Sequence, residues 1–116
     1  MKMRKPLWIP SEERREQANI TGFIDVVNKK QGVSLCSYQE LYDWSIRSTP
    51  DFWAVMWEFG GIRASGCYDV VVDDLKKYPG AGWFVGARLN FAENLLRFND
   101  DHVAFVFKRE NREPTR

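Results

Sequence analysis

One histidine, two cysteines and three closely spaced aspartates are the side chains in this sequence with chemistry beyond packing. His102 could move a proton near neutral pH, but only if a nucleophile or carboxylate orients it. It follows Asn99-Asp100-Asp101 at a turn-to-strand junction, and no nucleophile, oxyanion or paired-carboxylate motif points to it. Cys36 and Cys67 stand far apart, in no CxxC and with no histidine pair. That spacing suits neither a zinc site nor a disulfide framework, and predicts two reduced thiols, buried or half-buried. Asp69, Asp73 and Asp74 lack the glycine-kinked loop and closing glutamate of a calcium site. Gly80, Gly82 and Gly86 match neither a dinucleotide fingerprint nor a Walker loop. No catalytic, cofactor-binding or metal-ligating residue is therefore assigned.

Five Trp, four Tyr and eight Phe in 116 residues are a different kind of signal: more large apolar surface than a chain of this length readily buries. The length suits one domain with one modest core. Seventeen Lys+Arg against 16 Asp+Glu leave no electrostatic footprint for nucleic acid or anionic lipid. The basic clusters at Arg14-Arg15 and Lys108–Arg116 are interleaved with glutamates, which reads as solvated surface. Pro6 and Pro10 interrupt the amino terminus before a signal peptide can build, and Phe52–Trp57 is too short to span a bilayer. A reducing, cytoplasmic location is the expectation.

The elements that would carry these side chains are mostly helical. Ser11 caps a helix opening Glu12-Glu13. Thr21 offers a second start, with Ile20, Phe23, Ile24 and Val27 on one face, Asp25, Asn28 and Lys29 facing away, and Gly32 just past the end. Ser37-Tyr-Gln-Glu40 is a capping-box pattern. Its helix would place Tyr38, Leu41, Tyr42 and Ser45 on one side and an Asp43–Arg47 ion pair on another. Thr49-Pro50 restarts a helix whose DFWAVMWEF stretch is apolar nearly all round, until Gly60-Gly61 ends it. Trp53 and Trp57 are spaced to stack as a pair within a core or domain interface.

The second half reads less simply. Tyr68–Val72 suggests a short strand and Asp73-Asp74 a helical turn carrying Leu75–Lys77. Asn90 and Glu93 set another capping pattern, for a helix presenting Phe91, Ala92, Leu95, Leu96 and Phe98 over more than half its circumference. Val103–Phe107 is a nearly continuous apolar strand, of the type buried on both faces of a larger sheet. With only one other strand candidate, that sheet has to come from elsewhere. The expected fold is an α-rich α+β fragment: helical residues 1–101, then residues 102–116 as the first strand and hairpin loop of an absent larger sheet.

PLWIPSEERREQANITGFIDVVN (6–28), DFWAVMWEFGGI (51–62), YDVVVDDL (68–75) and GWFVGARLNFAENLL (82–96) resemble the amino-terminal region of acetoacetyl-CoA synthetases, within the adenylate-forming superfamily. The LNFAENLL block is the most specific, and Val85 departs from the pattern where a proline is expected. The resemblance implies an ATP-dependent acid–CoA ligase as parent enzyme, using ATP, Mg and CoA, whose helical N-terminal layer wraps the adenylation domain. The family's phosphate loop, its ATP- and CoA-contacting motifs and its catalytic lysine match no segment here. The implied role is structural: docking to the remainder of the synthetase, without activity alone, through an interface including Phe52, Trp53, Trp57, Phe91 and Leu95. The alternative is a stand-alone helical protein-binding module of the same ancestry, with a nucleic-acid module a distant third.

Overall fold

The computed structural model describes residues 6–111. Among them the chain forms five helices and two strands: α1 (Glu12–Glu16), α2 (Asn19–Gln31), α3 (Tyr38–Arg47), α4 (Thr49–Phe59), β1 (Val70–Val72), β2 (Trp83–Val85) and α5 (Phe91–Leu95). This is the helix-rich α+β arrangement expected.

Local chemistry sets most helix ends. The Ser11 hydroxyl accepts from the Arg14 amide and opens α1. At α3 the capping box is complete: Ser37 Oγ accepts from the Glu40 amide, while the Glu40 carboxylate takes the amides of Ser37 and Cys36. α2 begins at Asn19 after Ala18, two residues before the expected Thr21. The Thr21 hydroxyl instead donates to the Arg15 carbonyl and ties α2 to α1. Gly32, at φ 65°, closes α2 in the left-handed conformation that glycine adopts without steric cost.

The core lies where α2, α3 and α4 meet. Phe23, Val27, Leu41, Trp44 and Val55 are buried there, with Ile24, Val26, Val33, Leu35, Phe52 and Met56 packed around them. Ile20 falls outside, exposed at the start of α2. Phe23 is the hub, edge-on to both Phe52 and Phe59 of α4. On α3 the buried pair is Leu41 and Trp44, whereas Tyr38 and Tyr42 are exposed. Asp43 and Arg47 do not form the expected ion pair. Arg47 Nε donates to the Asp43 carbonyl at 2.9 Å and Gln39 takes the Asp43 carboxylate at 3.1 Å, so each charge finds a nearer local partner. Asn28 also turns inward. Its amide group accepts from the Leu35 N–H and donates to the Leu35 C=O, at 2.8 and 2.9 Å, closing the loop after α2.

α4 is apolar nearly all round because it serves two layers. Phe52, Val55, Met56 and Phe59, at i, i+3, i+4 and i+7, face α2 and α3. Trp53 and Trp57 face the β1–β2 hairpin and do not stack on each other. Trp53 meets Trp83, and Trp57 meets Tyr68 and Phe84. The hairpin is antiparallel, with Val70 opposite Val85 and Val72 opposite Trp83. The sequence signals marked β1 but not β2, which lies in the glycine-punctuated stretch.

The hairpin's shape depends on two left-handed residues. Phe84, at φ 47°, is an uncommon conformation for a bulky side chain. Its ring lies 4.4 Å from that of Trp57 and 5.2 Å from that of Tyr68. Gly86, at φ 89°, sits against the Asp69 carboxylate, where an added Cβ would come within 2.6 Å of Oδ2. Residues 73–77 form a turn in place of the expected helical turn. The Asp73 carboxylate gathers the amides of Asp74 and Gly82 and the Lys77 ammonium, competing with a helical hydrogen-bond ladder.

Candidate docking interface

From Leu89 onward, the described residues leave their large apolar side chains exposed. α5 buries none of its residues. Phe91 is 80% exposed, Leu95 66% and Phe98 80%. Leu89, Leu96, Val103, Phe105, Val106 and Phe107 are exposed as well. Residues 103–106 form no strand. A strand needs a neighbour to complete its hydrogen bonds, and none is supplied among the described residues. Residues 112–116 of the expected hairpin loop lie outside the described residues.

The side of α5 facing the rest of the chain is polar. Asn90 caps the helix, its side chain accepting from the Glu93 amide; the reciprocal half of the capping box does not form among the described residues. Asn94 Oδ1 accepts from the Arg63 N–H and its Nδ2 donates to the Arg63 C=O, both at 2.8 Å. Arg97 reaches the Gly60 carbonyl at the end of α4, 2.9 Å away, and the Asn94 carbonyl. The Ala64–Leu89 bridge and the Ser65 amide on the Arg88 carbonyl hold the approach to α5. A water-soluble helix normally turns apolar residues inward and polar ones outward. α5 does the reverse, leaving Phe91 and Leu95 exposed while Asn94 turns toward the chain.

The five residues expected at an interface fall into three environments. Phe91 and Leu95 lie together on the outer face of α5. Trp53 and Trp57 are engaged with the hairpin, Trp53 remaining 41% exposed. Phe52 packs against the core and lines an apolar groove of about 370 Å³ with Phe23, Tyr38, Leu41, Tyr42 and Phe59. Sequence reasoning missed Asn94 and Arg97. The signal was there: Asn90, Asn94 and Arg97 recur at i, i+4 and i+7, a polar stripe running through α5 and its two ends.

Among the described residues the remaining chemistry-bearing groups stand apart from one another. His102 is exposed, its Nδ1 3.0 Å from the Asp100 carboxylate. Both thiols are exposed, contrary to expectation. Cys36 stands just before the α3 capping box, where its amide is held and its side chain is left outside, and Cys67 lies in the loop before the hairpin. The glycine segment has carboxylates where a nucleotide phosphate would need cations or free amides. The Gly82 amide is held by Asp73, and Asp69 abuts Gly86. The Lys77 ammonium, then the Gly82 amide, hold the Asp73 carboxyl below its ordinary value. No group of three or more His, Cys, Asp or Glu placed to hold a metal occurs among the described residues. No helix among them is long and apolar enough to cross a membrane.

Residues 38–95, from α3 through α5, match the model of the acetyl-coenzyme A synthetase N-terminus. The chain belongs to that family. Acetoacetyl-CoA synthetases are similar over nearly all of it: that of Danio rerio is 43% identical across 94% of this chain, and that of Rattus norvegicus 44% across 92%. The malonamoyl-CoA synthetase of Penicillium aethiopicum is 48% identical over 78% of the chain. Among solved structures, the acetoacetyl-CoA synthetase of Streptomyces lividans superposes on 78% of this chain with a TM-score of 0.71 at 37% identity. The chain spans only 16% of the length of the Danio and Rattus enzymes and 14% of the Streptomyces chain. In the relatives, then, this synthetase N-terminal layer is a small part of a much larger polypeptide.

Proposed function

We propose that this chain is the N-terminal segment of an ATP-dependent acetoacetyl-CoA synthetase, and that its role is to dock on the adenylation body of that enzyme. The observation that carries this reading is the inverted helix α5, whose polar stripe ties it to its own layer while Phe91 and Leu95 stand exposed. In this reading residues 1–101 are the helical N-terminal domain, and Val103–Phe107 finds its strand partners in the body's first sheet.

The reaction belongs to the whole enzyme. Acetoacetate attacks the α-phosphorus of ATP to give acetoacetyl-adenylate and pyrophosphate. The CoA thiol then displaces AMP to give acetoacetyl-CoA. ATP, Mg and CoA are held by the body, and this chain contributes no catalytic residue. It is a cytoplasmic ligase segment with neither nucleic acid nor membrane as partner.

The test is to co-express this chain with a Streptomyces-type synthetase lacking its matching N-terminal layer, and to assay copurification and acetoacetate-dependent ATP–pyrophosphate exchange. The two pieces are expected to copurify, and Phe91→Ser with Leu95→Ser to separate them. The isolated chain is expected to show no exchange. Exchange by the isolated chain, or pieces that never associate, would overturn the reading.

A further inference from the structure

We propose that Asn94 and Arg97 form a polar latch that fixes how α5 is rolled on its axis, and so which of its faces is presented outward. α5 is too short to be stable alone, and no residue of it is buried, so neither propensity nor core packing sets its orientation. What sets it is a small group of directional contacts. Asn94 reads the Arg63 backbone as another strand would, N–H and C=O together, across 31 residues of sequence. Its Nδ2 also reaches the Asn90 carbonyl, bracing the helix from within. Arg97, one turn on, fixes the C-terminal end of α5 to the Gly60 carbonyl. That carbonyl is one of the orphan acceptors left by the end of α4, so a guanidinium is well placed there. Two anchors on one side of a short helix determine its roll, and the opposite side carries Phe91 and Leu95. Asn94 and Arg97 are positioning residues; they hold the docking face without belonging to it.

The purpose of the latch rests on the docking reading, but its existence does not. Amide hydrogen exchange on the full 116-residue chain tests it with no partner present. The Arg63 amide is the direct reporter, because its hydrogen bond is to the Asn94 side chain. In Asn94→Ala the amides of Arg63 and Leu96 are expected to exchange about tenfold faster, the loss of roughly one to two hydrogen bonds, while those of Val27 and Val55 keep their wild-type rates. Asn94→Asp keeps the acceptor for Arg63 N–H and loses both donors, so it falls between. Arg97→Gln releases Leu96 but leaves Arg63 protected, and carries the test should Asn94→Ala unfold the chain. Wild-type Arg63 and α5 amides exchanging like an unstructured peptide would overturn the latch. So would acceleration of equal size in α2 and α4 in both substitutions. Failure of the pieces to copurify, with the exchange pattern as expected, would remove the docking partner and leave the latch standing.

Discussion

The α2–α4 layer and the α5 region are built from the same kinds of residue and put them to opposite uses. Each has an asparagine that clamps a distant backbone through both its N–H and C=O: Asn28 on Leu35 and Asn94 on Arg63. Each has a helix opened by a side-chain cap, Ser37 on α3 and Asn90 on α5. In the first region the clamp closes a loop over Phe23 and Val27, which are buried; in the second it holds Phe91 and Leu95 in solvent. The difference lies in what surrounds the helix. α2 has α4 against it, whereas α5 has backbone carbonyls and amides on one side and, among the described residues, nothing apolar covering the other. The radius of gyration, 19.4 Å, carries the same message, since a compact chain of this length would measure about 13 Å. Apolar composition alone does not make a core; the geometry of the neighbours decides.

Three variants break or sharpen this contrast. Phe23→Ala removes the ring that meets Phe52 and Phe59, and should lower stability by about 3–5 kcal/mol in chemical denaturation. A loss as small as that of a surface change would mean the α2–α4 layer is not the folding core. Ser37→Ala opens the α3 capping box and should cost about 1 kcal/mol, measured the same way. Phe91→Ser with Leu95→Ser is the inverse experiment: two large apolar side chains lost with a stability change within about 0.5 kcal/mol. Binding of a hydrophobic dye should fall at the same time. A large destabilisation there would show that the α5 face is packed in solution, and the contrast between the regions would vanish.

Much of the first region was legible because its determinants are local. Ser11, Ser37 and Gly32 act on amides and carbonyls within one turn of themselves, and the 3.6-residue period of Phe23 and Val27 is written along the chain. LNFAENLL, the block most specific to the family, lies in the α5 region, and the family match spans α3 to α5. Less legible were features whose partners are remote in sequence. The split of α4 into a core stripe and a tryptophan stripe required the hairpin to be in place. β2 was hidden among glycines, because the left-handed Phe84 is stabilised by rings from Trp57 and Tyr68 and by no signal of its own. The thiols came out exposed because side-chain direction at Cys36 follows the adjacent capping box, not the intrinsic preference of cysteine for burial.

What the amino-acid sequence determined by itself is therefore most of the helices, several of their ends, and an excess of aromatic surface, since caps, turns and periodicity act over a few residues. The tertiary structure decided which apolar faces are covered and which are offered. Burial and hydrogen bonding across 31 residues, as between Asn94 and Arg63, exist only once the chain has folded back on itself. In α5 that fold-back placed the polar stripe inside and left the apolar face free.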